Sequence, residues 1–105
     1  MQNQVIFCDA GRTLTARLAG EIDHHSAKGS REAIDIMIFK TKPEILVLDF
    51  SDVKFMDSSG IGLIMGRVVL CRTHNCRVRL CGLSTSLKKL VRLSGLERLA
   101  GLSIT

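Results

Sequence analysis

Apolar and polar residues alternate from Thr13 to Ala19, where Leu14, Ala16 and Leu18 interleave with Thr13, Thr15 and Arg17. That period of two predicts a strand with one buried face, ended by Gly20. The apolar run Val5-Ile6-Phe7-Cys8 and the turn signal Asp9-Ala10-Gly11 ahead of it predict a hairpin partner. From Ser26 to about Lys40 the spacing becomes helical: Ala27, Ala33, Ile34, Met37 and Ile38 recur on one face, with Lys28, Arg31, Glu32 and Asp35 on the others. Pro43 lies just past that helix's end. Ile45-Leu46-Val47-Leu48 is continuously apolar and reads as a central strand buried on both faces.

A second helix is expected from near Ser58 to about Thr73, with Asp57, Ser58 or Ser59 as its cap. Arg77-Val78-Arg79-Leu80-Cys81 alternates as a strand closed by Gly82. A third helix, started by Ser84 or Ser86, runs through Leu87, Leu90, Val91 and Leu93 to Ser94-Gly95, and Leu96 to Ile104 supplies a short helical turn and a strand. The order β-β-α-β-α-β-α-β is that of an α/β fold whose strand–helix–strand units pair in parallel through right-handed crossovers. No linker, repeat or low-complexity tract divides the chain, so residues 1–105 are expected to form one domain.

Composition narrows the function classes. With 46% apolar residues and a single Pro, the chain folds around one core, and with four Phe, no Trp and no Tyr that core is aliphatic. No aromatic platform for stacking bases is visible. The stretch from Ile61 to Cys71 is interrupted by Arg67 and is about half the length that spans a bilayer. Met1-Gln2-Asn3-Gln4 carries no basic stretch ahead of a long apolar run, so no signal peptide is expected, and the anticipated setting is the cytoplasm, away from membranes. Cys8, Cys71, Cys76 and Cys81 contain no CxxC pair and fit no zinc spacing; buried small hydrophobes are the expectation.

Charge is unevenly placed. Residues 1–60 hold seven Lys/Arg against nine Asp/Glu, whereas residues 61–105 hold eight Lys/Arg and only Glu97. Such asymmetry fits a nucleic-acid or membrane surface, an acidic protein partner or a merely solvated face. No DNA- or RNA-reading motif accompanies Arg72, Arg77, Arg79, Lys88, Lys89, Arg92 and Arg98, so nucleic acid is not the expected partner.

The most informative segment is Asp49-Phe50-Ser51-Asp52-Val53-Lys54-Phe55-Met56-Asp57-Ser58-Ser59-Gly60-Ile61-Gly62, read as a buried strand, a tight acidic loop and a helix whose first turns hold Gly60 and Gly62. Two early glycines cost about 1 kcal/mol each in helix propensity. Close approach of another backbone, or of a partner, would offset that. Ser58 has two readings: a helix cap, or a hydroxyl that accepts phosphate where the helix dipole tolerates negative charge.

Gly20-Glu21-Ile22-Asp23-His24-His25, Phe55-Met56-Asp57-Ser58-Ser59-Gly60-Ile61-Gly62, Gly66-Arg67 and Leu93-Ser94-Gly95-Leu96 together resemble STAS domains, and most of all the anti-sigma factor antagonists of the sporulation type. The resemblance covers nearly the whole chain in order. It implies a mixed, mostly parallel sheet with helices mainly on one side. It also implies a partner-switching cycle in which the unmodified protein binds an ATP-using anti-sigma factor serine kinase and so releases a sigma factor, which it touches only indirectly. Phosphorylation of the first serine, here Ser58, would weaken that complex, and a metal-dependent serine phosphatase would reverse it. In this scheme Asp23, His24, Asp57, Ser59, Gly60, Ile61, Gly62 and Arg67 form the partner-facing surface, with Arg67 able to meet an acidic group.

Rival readings remain. Asp23-His24-His25 suggests a metal-dependent phosphoesterase, but only His74 is left to complete a ligand set, so no catalysis, metal or cofactor is expected. Asp57 could act as a base, although capping and loop orientation suit it better. A STAS scaffold or ligand sensor within another signalling complex would share the same fold.

Overall fold

The computed structural model describes residues 5–105. Strands β1 (Val5–Ala10) and β2 (Thr13–Ile22) lead into helix α1 (Ala27–Thr41); β3 (Ile45–Met56), α2 (Ser58–Arg72), β4 (Arg77–Cys81), α3 (Thr85–Ser94), a 3-10 turn (Leu96–Arg98) and β5 (Leu102–Ile104) follow. The strands lie in the order β1-β2-β3-β4-β5. Only β1 and β2 are antiparallel; the other three pairings are parallel. Each parallel step moves one place in the same direction, so right-handed crossovers put all three helices on one face of the sheet.

The register shows that face. Leu14, Leu46, Val78 and Leu102 stand side by side across four strands, and Phe7, Ala16, Leu48, Leu80 and Ile104 make the next row. Helices α1 and α2 cover these rows with Ile34, Ile38, Leu63, Ile64 and Val68, and α3 adds Leu87 and Val91. The core is mostly aliphatic, with Phe50 enclosed in it, sulfur side chains at Met56, Cys71 and Cys76, and Phe7 packed against its edge.

Two expectations are corrected here. Ile45 and Val47 are only half-buried, because they stand on the uncovered face beside Thr13, Thr15, Arg77 and Arg79. A strand buried on both faces would need helices on both sides, which this crossover pattern does not provide. The expected ends of β2 and β3 are also too early. Gly20 does not stop β2; at φ +84° it sits at a register shift against β3, and pairing resumes from Glu21 to Ile22. The polar stretch after Asp49 is likewise strand, and Arg17 pairs with Asp52 at 2.8 Å on the exposed side of it.

Candidate functional site

Ile22 and Met56 are the last paired residues of β2 and β3, so the two parallel strands end together and deliver their following loops to the same place. The Asp57 N–H donates to the Ile22 carbonyl at 3.1 Å and fastens one loop to the other. The 23–26 loop and the start of α2 are thus neighbours at the carboxyl ends of the strands, where open α/β sheets bind their partners.

Asp23 shapes the first loop. Its Oδ1 accepts the His25 N–H at 2.9 Å and the Ser26 N–H at 3.1 Å. The Ser26 N–H, then burial working the other way, then the His25 N–H decide its titration, and the net effect holds the Asp23 carboxyl below its ordinary value. Ser26 Oγ donates to the Glu21 carbonyl at 2.9 Å, so the turn is tied at both ends. His24 is left exposed.

In the second loop the cap is Asp57. Its Oδ1 accepts the Ser59 N–H at 2.8 Å, and its backbone is extended, as an N-cap requires. Ser58 therefore occupies the first helical position without being needed as a cap. Its side chain is exposed, and among the described residues none hydrogen-bonds to its hydroxyl. The Asp57 carboxylate is engaged in capping through Oδ1.

Gly60 is buried and needs to be glycine. A methyl group there would overlap Cγ and Sδ of the buried Met56, so the glycine lets α2 start close against the end of β3. Gly60→Ala should therefore cost about 1–2 kcal/mol in chemical denaturation, the overpacking outweighing the gain in helix propensity. A Met56→Ala background should shrink that cost through a favourable coupling; an additive double mutant would show that Met56 is not the constraint. Gly62 meets nothing within 4 Å and is exposed. Of the two early glycines, Gly60 serves packing and Gly62 leaves an open helix surface.

That surface forms one wall of a cleft of about 320 Å³ lined by Ser59, Gly62 and Leu63 of α2 and by His24, Ala27, Lys28 and Arg31 of the α1 side. Lys28 and Arg31 enter the site from outside the expected set. Their sequence signal is the three-residue spacing of Lys28 and Arg31, which puts both on one face of the first turns of α1, just after the loop that carries His24. Lys28 and Arg31 are its charged lining residues, and no acid is among them. Ile61 is half-buried beside it.

Arg67 is not part of this surface, which corrects the expectation of a partner-facing residue. It is 5% exposed and pairs with Asp35 of α1, Nε to Oδ1, at 2.9 Å. The contact is not aligned as a hydrogen bond, and Nη1 has no partner among the described residues. Burial pulls the guanidinium's pKa down and the Asp35 carboxylate pushes it back up. The pair joins α1 to α2 below the cleft.

A β-sheet with this order, all helices on one side and a serine-headed helix after its central strand defines a STAS domain, and the chain belongs to that family: the STAS domain model matches residues 9–104. Among its relatives is the anti-sigma F factor antagonist of Paenibacillus polymyxa, 35% identical over 82% of this chain and 74% of that protein. The anti-sigma factor antagonist SpoIIAA in its unphosphorylated form superposes with a TM-score of 0.81 at 30% identity, covering 97% of this chain and 88% of that one. The Bacillus cell fate determinant SpoIIAA in its phosphorylated form superposes with a TM-score of 0.73 at 30% identity, over 97% of this chain and 91% of the other.

Proposed function

We propose that this chain is an anti-sigma factor antagonist that binds an anti-sigma factor serine kinase through the Ser58 end of α2 and is released by phosphorylation of Ser58. The observation that carries this reading is the division of labour at the helix start: Asp57 caps α2, leaving the exposed Ser58 hydroxyl uncommitted. The relatives at 35% and 30% identity carry antagonist names, and one of them exists in a phosphorylated form.

The residues divide the work as follows. The kinase brings ATP, whose γ-phosphoryl group passes to Ser58 Oγ as ADP leaves and the hydroxyl proton goes to a base on the kinase. Asp57 and Ser59 hold the helix start in place through their hydrogen bond. Ser59, Gly62, His24 and the cations Lys28 and Arg31 form the docking cleft, which suits an acidic segment of the kinase. Asp23 fixes the loop that carries His24. A phosphoserine adds about −1.5 to −2 charges at pH 7. The α2 dipole accepts these locally, whereas the acidic docked partner does not. A serine phosphatase restores the binding form, and the sigma factor responds only through the kinase it is freed from.

Incubating the protein with its cognate kinase and ATP tests the reading. Phosphate is expected on Ser58 alone, together with loss of the complex. Label on Ser59, or tight binding without any label, would overturn the assignment.

A further inference from the structure

Cys71 and Cys76 bracket the turn between α2 and β4. Cys71 lies in the last turn of α2 and is fully buried; Cys76 precedes β4 and is 6% exposed. The chain between them folds back tightly. The His74 and Cys76 N–H groups both donate to the Cys71 carbonyl, at 3.0 and 2.9 Å, and Asn75 takes φ +54° to permit the reversal. That reversal brings the two cysteine side chains beside each other, and the Cys76 thiol donates to the Arg77 carbonyl at 3.5 Å. The other two cysteines have no such geometry. Cys8 faces Thr15 on β2 and Cys81 faces Asp49 on β3, so three strand spacings, about 14 Å, separate β1 from β4, too far for a bridge.

We propose that Cys71 and Cys76 form a peroxide-sensitive pair that closes into a reversible disulfide, pinning the end of α2 to the start of β4. The Cys76 thiolate attacks one oxygen of hydrogen peroxide; the O–O bond breaks, hydroxide leaves and takes up a proton as water, and Cys76 becomes a sulfenic acid. The Cys71 sulfur then attacks the Cys76 sulfur, forming the S–S bond as the S–O bond breaks and a second water departs. Two thiols are oxidised and one peroxide is reduced to two waters. Cys76 is the first nucleophile because it is the less buried sulfur and is favoured as thiolate. The adjacent Cys71 side chain, with burial working the other way and the Leu46 N–H helping, holds it below the ordinary thiol value. The same contact, followed by burial, raises Cys71, which suits it to the resolving role. The near-complete burial of the pair favours a small oxidant over a bulky disulfide.

The cleavage sites of trypsin make the test direct, since Arg67, Arg72 and Arg77 place the two cysteines in adjacent peptides, 68–72 and 73–77. After treatment of the wild-type protein with hydrogen peroxide, these peptides should remain joined, about 2 Da lighter than their sum, and separate on addition of dithiothreitol. In Cys71→Ala, a sulfenic acid at Cys76 should persist long enough for dimedone to trap it. Stable sulfinic acid at Cys76 in the wild type, links from Cys71 or Cys76 to Cys8 or Cys81, linked dimers, or unreacted thiols would each overturn the proposal.

Discussion

Ser58→Asp should weaken binding to the anti-sigma factor kinase by roughly 30-fold or more, equivalent to about 2 kcal/mol, while leaving the fold untouched. On the proposed docking, the loss arises because a fixed negative charge at the exposed first position of α2 faces an acidic segment of the kinase held by Lys28 and Arg31. Stability should change by no more than about 0.5 kcal/mol, since the cap is Asp57 and the helix dipole favours an acid in its first turn. Ser58→Ala should bind like the unmodified protein and should stay bound when ATP is added. Titration calorimetry of both variants against the kinase, with thermal melts alongside, separates the two effects. An aspartate variant that binds as tightly as wild type would sink the electrostatic switch.

The largest effect on stability is expected at Asp35→Ala. That change leaves Arg67 as an unpaired charge with a side chain only 7% exposed, and the cost should be about 3 kcal/mol. Arg67→Met should cost much less, about 1 kcal/mol, because it removes the buried charge and keeps most of the volume, while Asp35, at 28% side-chain exposure, can turn to water. Chemical denaturation of the two variants checks the order. If Arg67→Met proved the more damaging, the arginine would be acting through packing or an unseen partner rather than through its desolvated charge.

Much of the fold was legible because one-sided burial writes a simple pattern. Leu14, Ala16 and Leu18 alternate visibly, and Val78 and Leu80 do so between arginines, since both strands have one covered face. The apolar run from Ile45 to Leu48 hid the same one-sidedness: Ile45 and Val47 sit on the uncovered face although their side chains suit a core. The continuation of β3 through Ser51 and Asp52 was illegible for the opposite reason, because polar residues on an open face look like a loop. Gly20 reads as a stop and is in fact a bulge within paired strands.

The site shows the same limits. Asp57-Ser58 at a helix start is a local pattern, and the chain announces it, though it leaves open which residue caps. Arg67 could not be placed from sequence, because a lone arginine in a helix reads as surface and its partner Asp35 lies on a different helix. Lys28 and Arg31 read as the solvent face of α1 until the alignment of the β2 and β3 ends brings that face opposite Ser59 and Gly62.

The cap at Asp57 bears on how such a protein survives in a cell. Quality-control proteases remove chains in proportion to the time they spend unfolded, and a change of about 1–2 kcal/mol can alter abundance several-fold. If Ser58 were the cap, every phosphorylation event would draw on folding stability and the modified pool would be cleared. With Asp57 carrying that duty, the proposed phosphate on Ser58 would leave the cap in place. Under the proposed switch, a cell could then store the modified protein in quantity and return it to use without new synthesis.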